Sequence, residues 1–438
     1  MNPFSLRHRD DRAILELAIP ALGSLAVDPL VSLVDTAFVG QLGTAPLGAL
    51  GVNAALFSMT FIVFNFLAYG TTPRVGKAVG AGDTKEAGRV VIQALSLAIG
   101  AGVVAVALLE VFAEPLLTIM GATGELREPA LTYLRIRALA GPAVLVISAG
   151  RGAFRGHLDT RTPMLVIMGL NLVNLILDPI LIFGLDWGIA GAATATLIAQ
   201  WVGALTFLFL LLKARREEFG IELVRPKLAE MLPFLQVGWR LVVRTGALVG
   251  TMTLATAVAA RVGVTAVAAH QVANQLWGFL ALVVDALAVA AQALVSQKLG
   301  AGDPQRARSV ADRLLVWGVG VGVVLAIAFG LVRPYLPGLF TDDPDTIATA
   351  MDLFIFVAVL QPINGVVFVW DGIYMGDERF GYLAVAMIAS AAIAAAILLA
   401  VVPMGWGVEG VWWGITALMV VRTATLAIPY FRRRLFGD

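Results

Sequence analysis

"KAVGAGDTKEAGR" occupies Lys77–Arg89 and "QKLGAGDPQRARS" occupies Gln297–Ser309, so the chain writes Gly-Ala-Gly-Asp twice and follows each copy with a charged run. A phosphate-binding loop requires Gly, four residues, Gly, Lys and then Ser or Thr, which lets backbone N–H groups surround a phosphate at a helix start. The nearest approach, Gly70 to Gly76 followed by Lys77, has one residue too many between the glycines and Ala78 where the hydroxyl belongs. A helical elbow accounts for the residues better. Gly80 and Gly82 tolerate the positive φ that ends one helix, Asp83 caps the next, and Glu86 three positions on completes a capping box. In the second copy Asp303 precedes Pro304, a favoured first helical residue.

What the elbows join is long and apolar. Of 438 residues, 59% are hydrophobic and only 14% charged, whereas a soluble domain carries about a quarter of its residues as charges. Apolar tracts of about 20 residues are the length a bilayer demands, so the fold class is an all-α polytopic membrane protein. Hydropathy and helix stop signals give about twelve spans, at roughly 13–39, 44–71, 88–113, 128–157, 161–184, 188–213, 230–260, 264–297, 304–333, 344–377, 381–403 and 407–431. Sorting the 31 lysines and arginines onto alternate connections puts about 23 with the termini and the even-to-odd loops. Both termini are therefore expected in the cytoplasm, with the protein multi-pass in the inner (plasma) membrane. The opening "MNPFSLRHRDDR" lacks a cleavage pattern and is expected to be retained. Trp187, Trp406, Trp412 and Trp413 fall near the outer boundary as interfacial anchors.

The doubled elbow also fixes the internal organisation. Subtracting 80 from 300 gives an offset of 220, and the same offset aligns Gly43 with Gly263, Pro142 with Pro362, Gly152 with Gly372 and Gly156 with Gly376. The chain is a tandem duplication of six spans, and an even number makes the repeat parallel, about an axis along the membrane normal. The expected division is an N-lobe over 1–213, a charged cytoplasmic linker over 214–229 broken by Pro226, and a C-lobe over 230–438.

Composition excludes several chemistries. With no cysteine there are no disulfides, thiolate metal sites or thiol nucleophiles. The three histidines, His8, His157 and His270, are scattered. The net charge of +1, with basic residues sorted by membrane side, gives no nucleic-acid partner. "TDDPDT" at Thr341–Thr346 resembles the metal-binding aspartates of a membrane prenyltransferase, but it is broken by Pro344, occurs once and opens the tenth span, where helix capping suffices. Gly318, Gly320 and Gly322 lie in an apolar helix and read as close-packing positions.

An ionisable residue inside a span is costly and marks function. Asp35 lies about four residues from the outer end of span one and Asp178 about six from that of span five, so at about 1.5 Å per residue they share a depth. Asn174 is one turn below Asp178, and Thr196 enters on span six at comparable or slightly greater depth, with Gln200 one turn further. Two carboxyls, an amide and a hydroxyl in one cluster can hold a titrating proton, and the same oxygens suit Na+, so a metal at Asp35 and Asp178 is an alternative. At the 220 offset Asp35, Asn174 and Asp178 meet Ala255, Ala394 and Leu398, which confines the cluster to the N-lobe. Pro20 and Pro29 remove intrahelical bonds from span one, allowing a bend at Pro20, and Pro179 does the same beside Asp178. Asp28 lies deeper in span one, either lining a cavity or bonding a neighbouring helix. In the C-lobe, Arg244 is expected to pair with Asp285, and Asp371 with Arg240.

"LVDTAFVGQLGTAPLGALGVN" at Leu33–Asn53, the two elbows, and "NLVNLILDPILIFGLDWGIAGAATATLIAQ" at Asn171–Gln200 together resemble the multidrug and toxic compound extrusion (MATE) family in its DinF-like branch. The resemblance covers essentially the whole chain. It implies two six-helix lobes around a central cavity, exporting small cationic or amphiphilic compounds by alternating access in antiport with H+ or, as the alternative, Na+. It further implies cation coupling at Asp35, Asn174, Asp178 and Thr196 and a bend of span one linked to protonation of Asp35; Gln200, one turn beyond Thr196, is added as a coupling and substrate-binding candidate by its position, and no cofactor and a monomer in the lipid bilayer are expected. A major facilitator transporter shares the parallel halves, but its loop signature of Gly, Asp-Arg and repeated Arg is absent from "TTPRVGKAVGAGDTK". A polytopic enzyme lacks a site, and one-sided acids disfavour a passive channel.

Overall fold

The computed structural model describes residues 8–222, 228–432 and 435–436; Pro226 of the expected linker lies outside them. All regular structure among the described residues is helical. Twelve segments, α1 to α12 in chain order, account for the spans. They are Asp11–Gly40, Thr44–Gly80, Thr84–Val111, Gly124–Gly156, Arg161–Gly184, Gly188–Ala214, Glu230–Val262, Val264–Gly300, Pro304–Tyr335, Pro344–Gly376, Phe380–Met404 and Gly407–Phe431. Eleven are single helices long and apolar enough to cross a bilayer, and α4 makes the twelfth when its two pieces, bent by 49° between Ala138 and Gly141, count as one span.

Both elbows close as their residues require. Gly82 has φ +75° and Gly302 φ +70°, a left-handed conformation open to glycine at no steric cost. The Asp83 N–H reaches back to the Ala78 carbonyl and that of Asp303 to Lys298, tying off the preceding helix. Asp83 then accepts from the Glu86 N–H at 2.9 Å and Asp303 from the Arg306 N–H at 2.8 Å. Only half of the expected capping box forms, because the Glu86 carboxylate accepts from Arg89 at 2.7 Å instead of turning back. The capping read for "TDDPDT" holds, with Asp343 accepting from the Thr346 N–H at 3.0 Å.

The duplication is also written in packing. An added Cβ on Gly102 would meet the backbone of Pro142, and one on Gly322 that of Pro362. Gly152 faces Ala68 and Gly372 faces Ala288; Gly156 faces Val75 and Gly376 faces Val295. Each pair of pairs is related by the offset of 220, so small residues bring α4 against α2 and α3 in one half, and α10 against α8 and α9 in the other.

Two compact units result, one made of Ile19–Gly238 and the other of Met1–Ala18 with Trp239–Asp438. They part inside α1 and α7, not in the 214–229 segment. At the start of α1, Asp11 receives Arg313 at 2.6 and 2.8 Å and the Trp317 indole at 2.9 Å, and Asp10 receives Arg306, so these turns group with the C-terminal unit. The start of α7 groups with the N-terminal unit: Glu230 accepts from Gln93 at 3.1 Å, Phe234 lies under the Arg74 guanidinium, and Gly238 seats against Phe66. Trp187, Trp406 and Trp413 are about half exposed, but Trp412 is fully buried. It packs against His270 and Trp277, and is a core residue of its unit.

Candidate functional site

Four helices of the N-terminal unit place polar residues at helical spacing on one face each. Asp28, Ser32 and Asp35 lie along α1, Tyr133 and Arg137 along α4, Asn171, Asn174 and Asp178 along α5, and Thr196 and Gln200 along α6. All but Asp178 line a cavity of about 500 Å³, closed on the α2 side by apolar residues including Leu50 and Phe57. Asp178 stands just behind, 1% exposed. The last turn of α5 opens into a π-helical stretch, Ile180–Gly184, directly after Pro179, whose missing N–H and bulky ring forbid the regular ladder beside Asp178.

Asn174 Nδ2 donates to Asp178 Oδ2 at 2.9 Å. The Asp35 carboxyl comes within hydrogen-bonding reach of Asp178, and both Asp35 Oδ1 and Asp178 Oδ1 are buried with no donor among the described residues. Two adjacent carboxylates repel and leave each other's oxygens unsatisfied, and a proton between them removes both penalties. Thr196 lines the cavity; its hydroxyl donates to the Ala192 carbonyl at 3.0 Å and lies within hydrogen-bonding reach of the Tyr133 hydroxyl. Asp28 fulfils both readings given for it: it lines the cavity and also bonds its neighbours, accepting from Asn171 at 2.8 Å and Arg151 at 3.2 Å. Pro20 and Pro29 sit within a continuous α1.

The sequence reading missed Tyr133 and Arg137. Arg137 lies over the Phe57 ring at 5.2 Å, and its Nη1 has no hydrogen-bond partner among the described residues. The signal was present, since Arg137 falls well inside the fourth predicted span, where the cost of a charge applies as it does to Asp35.

The C-terminal unit corrects the expected partner of Asp371. Arg244, placed by depth opposite Asp285, donates to Asp371 at 2.5 Å, and Asp371 also receives Arg422. Arg422 and Asp371 are 3% and 4% exposed. Depth alone gave the right layer but not the direction around the helix, and Arg240 loses its assigned partner to two arginines that point inward. Among the described residues no three His, Asp or Glu side chains gather as a metal site.

Apolar spans in duplicated halves, with facing carboxyls inside one of them, define a polytopic membrane transporter. A family profile described as MatE matches residues 20–180 and 246–401. Protein DETOXIFICATION 44, chloroplastic, of Arabidopsis thaliana is 36% identical over 421 residues, covering 93% of this chain and 80% of that protein. DNA damage-inducible protein F of Escherichia coli strain K12 is 30% identical over 438 residues, covering 96% and 92%. A crystal structure of MATE in the bent conformation has the same fold, with a TM-score of 0.89 at 22% identity over 98% of this chain and 96% of that one. The chain belongs to the multidrug and toxic compound extrusion (MATE) family, and is a transporter and not an enzyme.

Proposed function

We propose that the protein exports organic cations or amphiphilic compounds in antiport with protons, by alternating access, as a monomer in the plasma membrane with both termini in the cytoplasm. The observation that carries the choice of ion is the Asp35–Asp178 pair, each with a buried oxygen lacking a donor. A proton entering from outside bridges the two carboxyls, and the lobes of 1–213 and 230–438 then exchange the side to which substrate is open. Loss of that proton restores negative charge, which attracts the next cationic substrate. Each charge moved across 100 mV contributes about 2.3 kcal/mol, enough for a substantial substrate gradient. Asn174 positions Asp178, Thr196 and Gln200 offer oxygens to substrate, and Pro20 lets α1 bend as the pair changes charge.

Dye efflux from vesicles under imposed gradients tests this. Efflux should follow the pH gradient, and Asp35→Asn and Asp178→Asn should each abolish it while the protein still inserts, because asparagine keeps the size and bonding of a protonated acid but cannot titrate. Efflux that ignored pH and followed a sodium gradient would reassign the ion, and wild-type efflux in both variants would remove the pair from the mechanism.

A further inference from the structure

We propose that Asp28 is the seat for the positive group of the substrate and that Arg151 is its placeholder: an amidinium, guanidinium or ammonium entering the cavity takes the Asp28 carboxylate from Arg151. This rests on the export of organic cations proposed above and names where their charge comes to rest. Asp28 and Asp35 are the two acids that line the cavity. Asp35 is assigned to the coupling ion, which leaves Asp28 for the substrate. Leu47, Leu50 and Phe57 supply apolar lining for the rest of an amphiphilic cation.

The carboxylate is held so that its cation can be exchanged. Asn171 Nδ2 donates to Asp28 Oδ1 at 2.8 Å and to the Ile167 carbonyl at 2.9 Å, which fixes that oxygen from α5 whichever cation is present. Arg151 reaches Oδ2 through Nη2 alone, at 3.2 Å, long for a charge-assisted bond, and its buried Nε has no hydrogen-bond partner among the described residues. The Asp28 side chain is 51% exposed. The repeat supplies the contrast: at the offset of 220 Arg151 corresponds to Asp371, and Ser24, one turn before Asp28, corresponds to Arg244. The first and fourth spans of each half are thus joined by a charge pair, with the signs reversed. In the C-terminal unit Asp371 takes both Arg244 and Arg422 and its side chain is 6% exposed, so that pair is closed to a ligand. In the N-terminal unit an amide stands in for the second cation. Ser24 Oγ is buried without a hydrogen-bond partner among the described residues and occupies the position from which Arg244 meets Asp371, so it offers a displaced Arg151 an acceptor.

Fluorescence binding to the purified protein, with no gradient, compares DAPI, whose charge is carried by amidinium N–H groups, with uncharged Nile red. Taken as the Kd of DAPI relative to that of Nile red, Arg151→Gln should lower the ratio by about threefold or more, because it removes the competitor for Asp28. Asp28→Asn should raise it by about tenfold or more, because it removes a charge-assisted bond. Asp28→Asn also leaves Arg151 unpaired, so the double variant Asp28→Asn with Arg151→Gln, in which neither charge of the pair remains, separates lost binding from lost folding and should show the same raised ratio. Shifts of the two single variants in the same direction, or a wild-type ratio in the double variant, would overturn the proposal. If binding follows the expected order while no pH gradient drives export of either dye, proton antiport is refuted and the Asp28 seat stands. If DAPI is exported and its Kd ignores both substitutions, Asp28 loses this role and antiport stands.

Discussion

At the scale of single residues, the two units handle buried charge in opposite ways. Asp371 is satisfied twice over, by Arg244 and Arg422, whereas Asp35 and Asp178 each keep an oxygen in want of a donor. The first arrangement should be structural and the second functional. We expect Asp371→Asn to cost on the order of 3–5 kcal/mol, because it strands two guanidiniums inside the unit, and a lowered thermal midpoint in detergent would register it. Replacing Arg244, Asp371 and Arg422 together with Met, Leu and Met should recover most of that loss, while Asp35→Asn should leave the midpoint near wild type. A wild-type midpoint for Asp371→Asn would deny the triad a structural role. Asp35, Asn174 and Asp178 were legible in the sequence because polar side chains stand out inside apolar spans and helical spacing puts them on one face. Arg137 and Arg422 were passed over although both stand inside predicted spans, where the cost of a buried charge marks them as it marks Asp35. Which carboxylate meets which arginine depends on rotation about the helix axis, and span depth carries no such information.

At the scale of elements, glycine decides how closely helices approach, and only some glycines do so. A Cβ on Gly372 would fall 2.2 Å from the Ala288 carbonyl oxygen, and one on Gly322 would fall 2.5 Å from that of Gln361, but one on Gly320 meets nothing within 4 Å. Gly372→Ala and Gly322→Ala should therefore push helix backbones apart and destabilise by about 1–3 kcal/mol or more. Gly320→Ala should be neutral or gain about 0.5–1 kcal/mol from helix propensity. Thermal midpoints in detergent compare the three directly, and equal effects would refute the packing account. The sequence shows the run of alternate glycines in α9, but only the structure separates the two that face α10 from the one that does not. The bend of α4 between Ala138 and Gly141 was likewise illegible, since Gly141–Pro142 permits a break without requiring one, and the elbow sequences at Gly82 and Gly302 succeeded because positive φ and an Asp cap leave few alternatives.

At the scale of the whole molecule, the boundaries of the two units obey the repeat. The first unit break follows Ala18 and the second follows Gly238, and 18 plus 220 is 238. Each six-span half therefore surrenders its opening turns to the other half's unit, by the same number of residues, and neither half of the chain is a complete unit. Expressed alone, residues 1–222 should lack the α7 turns that cover Phe66, and residues 228–438 should lack the acids that neutralise Arg306 and Arg313. We expect each fragment to be degraded or aggregated on its own, and the two expressed together to restore a transporter that purifies as a complex. Stable, monodisperse fragments expressed singly would show that the reciprocity is dispensable. The geometry also constrains descent. A single unduplicated copy with these opening turns would have had them exposed and its own receptor surfaces empty, and a second copy of the same chain supplies both at once. The exchange falls at the same register in both halves because both halves carry the same repeat.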